Sequence, residues 1–512
     1  MAKILWADDE IDMLKAHIIF LEGKGNQVVT VKSGNEALEK ANEEDFDIIF
    51  LDENMPGLTG LETLERMKTS LKHTPIVMIT KSEEESIMEE AIGGRIADYL
   101  IKPVNPNQIL LAIKKNLEGK RLVSEKTNSN YQQEFRQIAM DMQDRLDEDG
   151  WIEIYDKLVY WELELDKSKD PGMQEILKMQ KSEANSQFCK FVEKNYFDWV
   201  SHGDGPLMSH TVLQKEVFPT LTDKPSFLVV IDNLRLDQWK LLSNILQDKF
   251  KIEREDSFYA ILPSATQYAR NALFAGLMPS EIAKTYPGKW KNDEDEGGKN
   301  LFEEDFLAGN LRRAGFKGKF SYNKITNLNA GKKLVENFNN LLNNEFNAIV
   351  YNFVDMLSHA RTDMEVIREL ADDDAAYRSL TVSWFEHSPL YDLFKLMAKN
   401  GCDVIVTTDH GTIKCDEPSK IVGDKNTTTN LRYKQGRNLD YKERDVFAVR
   451  NPADAYLPKS NLSSSYVFAK EAKYFVYPNN YNHFMNYYKN TFQHGGISLE
   501  EMIVPIAFLK AK

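Results

Sequence analysis

The chain has 512 residues, with 64 Lys and Arg against 79 Asp and Glu, a formal charge of −15. That length calls for about three domains, and 42% hydrophobic with 28% charged residues excludes wholesale disorder. An acidic surface repels nucleic acid outside a local basic groove, and three cysteines with no close pair (Cys189, Cys402, Cys415) point to a reducing compartment. The acidic start MAKILWADDE, and the lack of any apolar run near ~18 residues, argue against a secretion signal or a membrane span. The expectation is a soluble, cytoplasmic protein of several domains.

Residues 1–118 carry 13 basic and 22 acidic side chains. Short apolar runs at Lys3–Ala7, Gln27–Val31, Phe46–Leu51, Pro75–Thr80 and Ala97–Ile101 alternate with helical patterns such as Gly34–Glu44 and Ser82–Ile92. Alternation of this kind predicts a parallel, doubly wound sheet with its ligands beyond the carboxyl ends of the strands. Asp8 and Asp9, Asp52, Thr80 and Lys102 stand at those ends. Three converging carboxylates need a cation, and an all-oxygen set suits magnesium. Lys102 and Thr80 would then bind the oxygens of a phosphoryl group on Asp52.

From Arg121 to Val200 the only glycines and prolines are Gly150, Pro171 and Gly172. They divide three helical patterns, about Leu122–Asp149, Trp151–Lys169 and Met173–Val200, with Trp151, Ile154, Tyr155, Leu158 and Trp161 at helical spacing. The stripe reads as bundle core, and the bundle as a spacer or dimerisation element. No helix-turn-helix with a basic face is present, so no duplex DNA-binding domain is expected.

The chemistry lies beyond Pro206. Three apolar strands precede acids: Ser226–Ile231 before Asp232, Ala348–Val354 before Asp355, and Asp403–Thr408 before Asp409. His359 lies four residues after Asp355, His410 follows Asp409 in TTDHG, and His494 precedes Gly495 and Gly496. Three carboxylates and three imidazoles are a zinc-type donor set large enough for two ions, which together can clamp the attacking and leaving oxygens of a phosphoryl transfer. In LPSATQYARNALFAG a strand-like stretch runs into a helix with Ser264 and Thr266 at the junction. Either hydroxyl can be a nucleophile there or a plain helix cap. Arg235 and Arg270 stand near these motifs, for phosphate or as surface ion pairs, and Asn271 is a candidate for orienting a phosphate oxygen. His17, His73, His202, His210, His387 and His483 lack an acid at ligand spacing and read as surface or packing residues. Cys402 reads as strand core and Cys415 as a loop thiol.

Two resemblances sharpen this reading. WADDE, LDENMPGLTG, MIT and DYLIKP, in order, resemble the CheY-like receiver domain of two-component response regulators. The likeness implies Asp52 as phosphoacceptor, a magnesium site of Asp8, Asp9, Asp52 and the Asn54 carbonyl, a switch pair of Thr80 and Tyr99, and a sensor histidine kinase upstream. IDNLRLDQW, SATQYARNALFAG, VDMLSHA, TTDHG and HGGISLEEMIVP resemble the PglZ branch of the alkaline phosphatase superfamily. This second likeness implies Thr266 as nucleophile, one zinc on Asp232, Asp409 and His410, and another on Asp355, His359 and His494. Glu281–Asn343 departs from the compact core of that superfamily.

The expected organisation is therefore α/β: a receiver at 1–119, a three-helix bundle at 120–203, and an alkaline-phosphatase-like α/β PglZ domain at 204–512. Together the parts resemble a family of response regulators associated with type IX secretion. That likeness implies a zinc-dependent phosphodiesterase acting on cyclic or linear oligonucleotides, a phosphorylation-dependent homodimer, and secretion-system and transcriptional partners. Two rival readings are a degenerate domain serving as a protein-binding output, and a phosphomonoesterase or phosphomutase. The six ligands plus Thr266 speak against degeneration, because a structural metal needs no nucleophile.

Overall fold

The computed structural model describes every residue except 1, 71–73, 82–95, 144, 169, 202–204, 223, 364–372, 425–426, 460 and 462, and the side chains of 68–70, 118–126 and 359–363. Met1–Gln132 with Lys167–Asp170 make one compact unit, and Gln133–Asp166 with Pro171–Lys512 a second.

In the first unit five strands, β1 (Lys3–Ala7), β2 (Gln27–Val31), β3 (Ile48–Asp52), β4 (Ile76–Thr80) and β5 (Asp98–Ile101), lie parallel in the order β2-β1-β3-β4-β5. Alternate residues of a strand face opposite sides, and here both sides are core. Leu5, Ala7, Ile49 and Leu51 pack on one face, and Ile4, Trp6, Ile48 and Phe50 on the other. Burial on both faces is why these strands read as unbroken apolar runs. The helix Pro106–Ile113 opens on a capping box of Asn105 and Gln108, with Pro106 in its first turn. The helical pattern at Ser82–Ile92 lies outside the described residues.

The second unit is built on a six-stranded sheet of β6 (Ser226–Ile231), β7 (Phe250–Tyr259), β8 (Phe320–Ile325), β9 (Phe346–Tyr351), β10 (Asp403–Thr407) and the C-terminal strand Ile503–Ala511. Its order is β7, the C-terminal strand, β10, β6, β9, β8. The last four are mutually parallel, whereas the C-terminal strand runs antiparallel to β10 and β7. Parallel strands bring the carboxyl ends of β6, β9 and β10 to one edge, the usual place for a ligand in such a sheet. Smaller sheets between Ile413 and Gln493 form a β-rich lobe.

Three helices precede the sheet: Gly119–Asp141, Glu148–Ser168 and Pro171–Ser201. Gly150, taken from the sequence as a break, lies inside the second of these, with its N–H on Asp147 Oδ1 at 2.9 Å. A first turn has N–H groups free for such a bond, so a glycine there does not end the helix. The stripe of Trp151, Ile154, Tyr155, Leu158 and Trp161 is buried, as its spacing predicts. The third of these helices also packs within the second unit. Trp199 meets Tyr259 of β7 at 5.2 Å between ring centroids, and the Asn185 amide accepts the Leu499 N–H and donates to Glu500.

Glu281–Asn343, the segment that departs from the compact core, supplies β8 and the helix Glu303–Arg313. One further expectation changes. Cys415 is no loop thiol. It is buried in the strand Ile413–Cys415, paired antiparallel with Thr491–Gln493. Among the described residues no helix is long and apolar enough to cross a membrane.

Candidate active site and phosphorylation site

β6 delivers Asp232 at its end, and the next residue, Asn233, turns the chain at φ +64°. β10 delivers Asp409 and His410. Gly411 follows because a Cβ there would meet the Glu500 carbonyl oxygen at 1.9 Å. Close approach, not a left-handed backbone, is what this glycine provides. Asp232, Asp409 and His410 are fully buried, and one ligand atom from each lies within 4.8 Å of the others.

The hydrogen bonds leave the right atoms available. Asp409 Oδ1 accepts the N–H of Asn233 at 3.2 Å and of His410 at 3.1 Å, while buried Oδ2 has no hydrogen-bond partner. His410 Nδ1 faces the Gly411 carbonyl at 2.9 Å. A carbonyl only accepts, so Nδ1 carries the proton and Nε2 presents its lone pair. Burial pushes the His410 imidazole down to about 4, which keeps it neutral at physiological pH. Burial also raises the Asp232 carboxyl, with Asp409 and Asp355 adding to the rise against the pull of Arg270. A carboxylate oxygen that takes no hydrogen bond and faces Arg270 Nη1 at 3.7 Å, a neutral imidazole lone pair and a second buried carboxylate fit a divalent cation of the zinc type.

Thr266 meets this cluster. It opens the helix Thr266–Ala275 after Ala265, which makes no side-chain cap bond. The Thr266 Oγ1 lies 2.9 Å from His410 Nε2 and 3.3 Å from Asp232 Oδ1, so it is not a cap. It is also half-buried, while every other residue of that helix is buried. Ser264 is committed elsewhere: its Oγ donates to the Gly496 carbonyl at 2.7 Å and accepts the Gly495 N–H at 3.2 Å, fixing the turn after His494.

Asp355 lies in the first turn of the helix Phe353–Asp363 rather than on the strand itself, because β9 ends at Tyr351. Its Oδ1 is 3.5 Å from His494 Nε2, and the His494 and His410 rings stack at 4.3 Å. The His494 imidazole is raised: burial opposes the shift and Asp355 outweighs it. His359 belongs to the same helix one turn on, but its side chain lies outside the described residues. Five of the six sequence-derived ligands are thus brought together.

The flanking residues are placed differently from expectation. Arg270 is buried, with Nη1 on Asp232 at 2.5 Å and Nε on Glu303 at 2.5 Å. Its guanidinium is held between two carboxylates rather than open to a phosphate. Arg235 is neither a surface ion pair nor open to phosphate, being buried between Asp237 at 2.5 Å and Asp374 at 2.7 Å. The Asn271 amide donates to the Gln267 and Lys299 carbonyls and accepts from Asn300. Asn300 also donates to the Thr266 carbonyl at 3.0 Å. Asn271 therefore fastens the loop before Glu303 to the Thr266 helix, which leaves it no group for orienting a phosphate oxygen. Sequence reasoning missed Asn233, Asn300 and Glu303. Only Asn233 carried a signal, as an Asn directly after a strand-end acid.

In the first unit Asp8 and Asp52 are buried and, with exposed Asp9, offer oxygens within 4.8 Å of one another, an all-oxygen set that fits magnesium. Lys102 Nζ reaches Asp8 at 2.8 Å and Asp52 at 2.9 Å. Thr80 is buried, Tyr99 is 40% exposed, and Asn54 is exposed just after β3. Burial pushes the Asp52 carboxyl up to about 6, against the pull of Lys102 and with Asp8 adding to the rise. An unfolded aspartate titrates near 3.9. The folded state therefore binds more protons between about 4 and 6, and this group's contribution to stability falls as pH rises through that window. In chelator-treated full-length protein, Asp52→Asn is expected to raise the first unit's melting temperature at pH 7 and to lose that advantage below about pH 4. An advantage independent of pH would assign the effect to packing instead.

The family comparisons agree with this geometry. Residues 4–114 match the response regulator receiver domain, 121–200 the PorX response regulator linker domain, and 212–509 the BREX system PglZ alkaline phosphatase-like domain. Among curated relatives, the transcriptional regulatory protein ResD of Bacillus subtilis is 33% identical over 112 residues, 22% of this chain and 46% of its own. The transcriptional regulatory protein ZraR of Klebsiella oxytoca is 33% identical over 119 residues, 23% of this chain and 27% of its own. The chain thus spans less than half the length of these relatives. A solved structure of the Vibrio cholerae chemotaxis protein CheY4 is 36% identical, covering 23% of this chain and 99% of that one, with a TM-score of 0.22.

Fold and site together define a response regulator: a receiver and an alkaline-phosphatase-like α/β domain in one chain. With the PglZ model spanning more than half its length, the chain belongs to the PglZ alkaline phosphatase-like family, and its three matched segments make it a PorX-type regulator.

Proposed function

We propose that the protein is a cytoplasmic, zinc-dependent phosphodiesterase acting on cyclic or linear oligonucleotides and controlled by phosphorylation at Asp52. One observation carries the reading: Thr266 Oγ1, at a helix N-terminus and not used as a cap, lies against buried Asp232 and His410. Asp232, Asp409 and His410 would hold one zinc, and Asp355, His359 and His494 the other; the pair would supply Lewis-acid stabilisation of the attacking and leaving oxygens. Thr266 Oγ1 loses its proton to solvent and bonds to phosphorus as the P–O ester bond breaks, and the leaving oxygen takes up a proton with the first product. Water then adds to phosphorus, the Oγ1–P bond breaks, and Thr266 regains its proton as the second product leaves. The first N–H groups of the Thr266 helix favour the phosphate oxygens. Five described donors beside a hydroxyl that is not used as a cap favour hydrolysis over a purely protein-binding output. A chromogenic phosphodiester is expected to be turned over well ahead of the matching monoester. Preference for the monoester would move the assignment to a phosphatase.

Asp52 would accept a phosphoryl group from a sensor histidine kinase with magnesium held by Asp8, Asp9, Asp52 and the Asn54 carbonyl. Thr80 and Lys102 would bind its oxygens and Tyr99 would rotate inward. A link to type IX secretion, with secretion-system and transcriptional partners, is part of the same proposal and is supported by the match of 121–200 to the PorX linker domain. Phosphorylation is proposed to favour a symmetric dimer, the commonest closed assembly. Sedimentation with beryllofluoride should show wild type moving from monomer toward dimer and Asp52→Ala unmoved. An unchanged wild-type mass would reject dimerisation as the switch.

A further inference from the structure

Asn233 is fully buried in a left-handed turn, a conformation that asparagine tolerates better than most residues with a side chain. Its backbone N–H donates to Asp409 Oδ1 at 3.2 Å. Its side-chain amide points the other way along the site, reaching Ser358 Oγ at 3.2 Å and Asp355 Oδ1 at 3.5 Å. Ser358 Oγ gives its own proton to the Asp355 carbonyl at 2.7 Å, so toward Asn233 it can only accept. That fixes the amide orientation, because the flipped rotamer would set its oxygen against both Ser358 Oγ and the Asp355 carboxylate.

One residue thus holds a carboxylate of each ligand group. Asp232, Asp409 and His410 come from the ends of β6 and β10, whereas Asp355 and His359 come from the helix Phe353–Asp363. The same Asp355 Oδ1 also lies 3.5 Å from His494 Nε2. We infer that Asn233 is the positioning residue that sets the separation of the two ligand groups and places Asp355 for the second metal. The inference rests on the two-metal reading given above. It separates the two jobs of Asn233. The backbone N–H serves the first group and survives substitution, while the amide serves the second and does not.

The discriminating variant is Asn233→Gly, which keeps the N–H and relaxes the left-handed backbone while deleting the amide. Ser358→Ala is the independent companion, removing the partner that orients the amide. Zinc binding to metal-stripped full-length protein, followed by titration calorimetry, should resolve two ions in wild type. In Asn233→Gly the first is expected to bind within about threefold of wild type and the second at least tenfold more weakly. Ser358→Ala should weaken the second alone, by a smaller factor. With zinc raised to refill the second site, Asn233→Gly should recover most of its kcat. Two ions binding to Asn233→Gly with wild-type affinities, or equal weakening of both, would overturn the positioning role while leaving the two-metal reading intact. A wild type that binds only one ion would overturn both.

Discussion

Thr266→Ala is expected to abolish hydrolysis of a chromogenic phosphodiester, by at least about a thousandfold, while both metals and the fold are retained. Each tenfold loss is ~1.4 kcal/mol of transition-state stabilisation, so the loss exceeds ~4 kcal/mol. A capping threonine would lose ~0.5–2 kcal/mol of stability on truncation to alanine with little effect on rate. Thr266 makes no cap bond, and its Oγ1 instead meets buried His410 and Asp232, so its removal costs about 0.5–1.5 kcal/mol of hydrogen bonding. The rate, not the stability, separates the two roles. Ser264→Ala should give the opposite pattern. It orphans the Gly495 N–H inside a buried turn, at ~1–3 kcal/mol of stability, while leaving the nucleophile in place. An active Thr266→Ala beside a well-folded but dead Ser264→Ala would show that the wrong hydroxyl has been assigned.

The second large effect concerns His410. His410→Ala deletes the one described imidazole that joins Asp232 and Asp409 within ligand distance, and it also removes the group that faces Thr266 Oγ1. The zinc content should fall from about two per chain to about one, and diester turnover by about a thousandfold or more. His387→Ala is the matched control. Among the described residues its ring bonds to the Ser383 carbonyl one helical turn away, so neither metal content nor rate should change. Full zinc occupancy with normal turnover in His410→Ala would remove His410 from the site.

Much of this was legible because most of the candidate carboxylates sit where a simple rule puts them. Asp8, Asp52, Asp232 and Asp409 stand at the ends of apolar runs that are buried on both faces, and a parallel sheet gathers such strand ends along one edge. Strand limits in the first unit were readable within two residues for the same reason. Asp355 shows the margin: its strand stops at Tyr351, yet the helix that begins at Phe353 still sets Asp355 and His359 one turn apart. What the sequence hid depends on tertiary partners with no local pattern. Arg270 and Asn271 look like phosphate ligands in the string, but Glu303 and Asn300, about thirty residues later, turn them inward. Gly150 reads as a break only if its Asp147 partner is ignored. Thr266 and Ser264 are two residues apart and chemically alike; hydrogen bonds to His410 on one side and to Gly495 and Gly496 on the other tell them apart.

The measurement that bears most directly on the central claim is the return of zinc to metal-stripped protein while diester hydrolysis is followed. The expected result is no turnover without metal, a rise to a plateau at two zinc ions per chain, and no rise at any zinc level in Thr266→Ala. Undiminished hydrolysis by the stripped protein in chelator, or a protein holding two zinc ions that leaves the diester untouched, would contradict it.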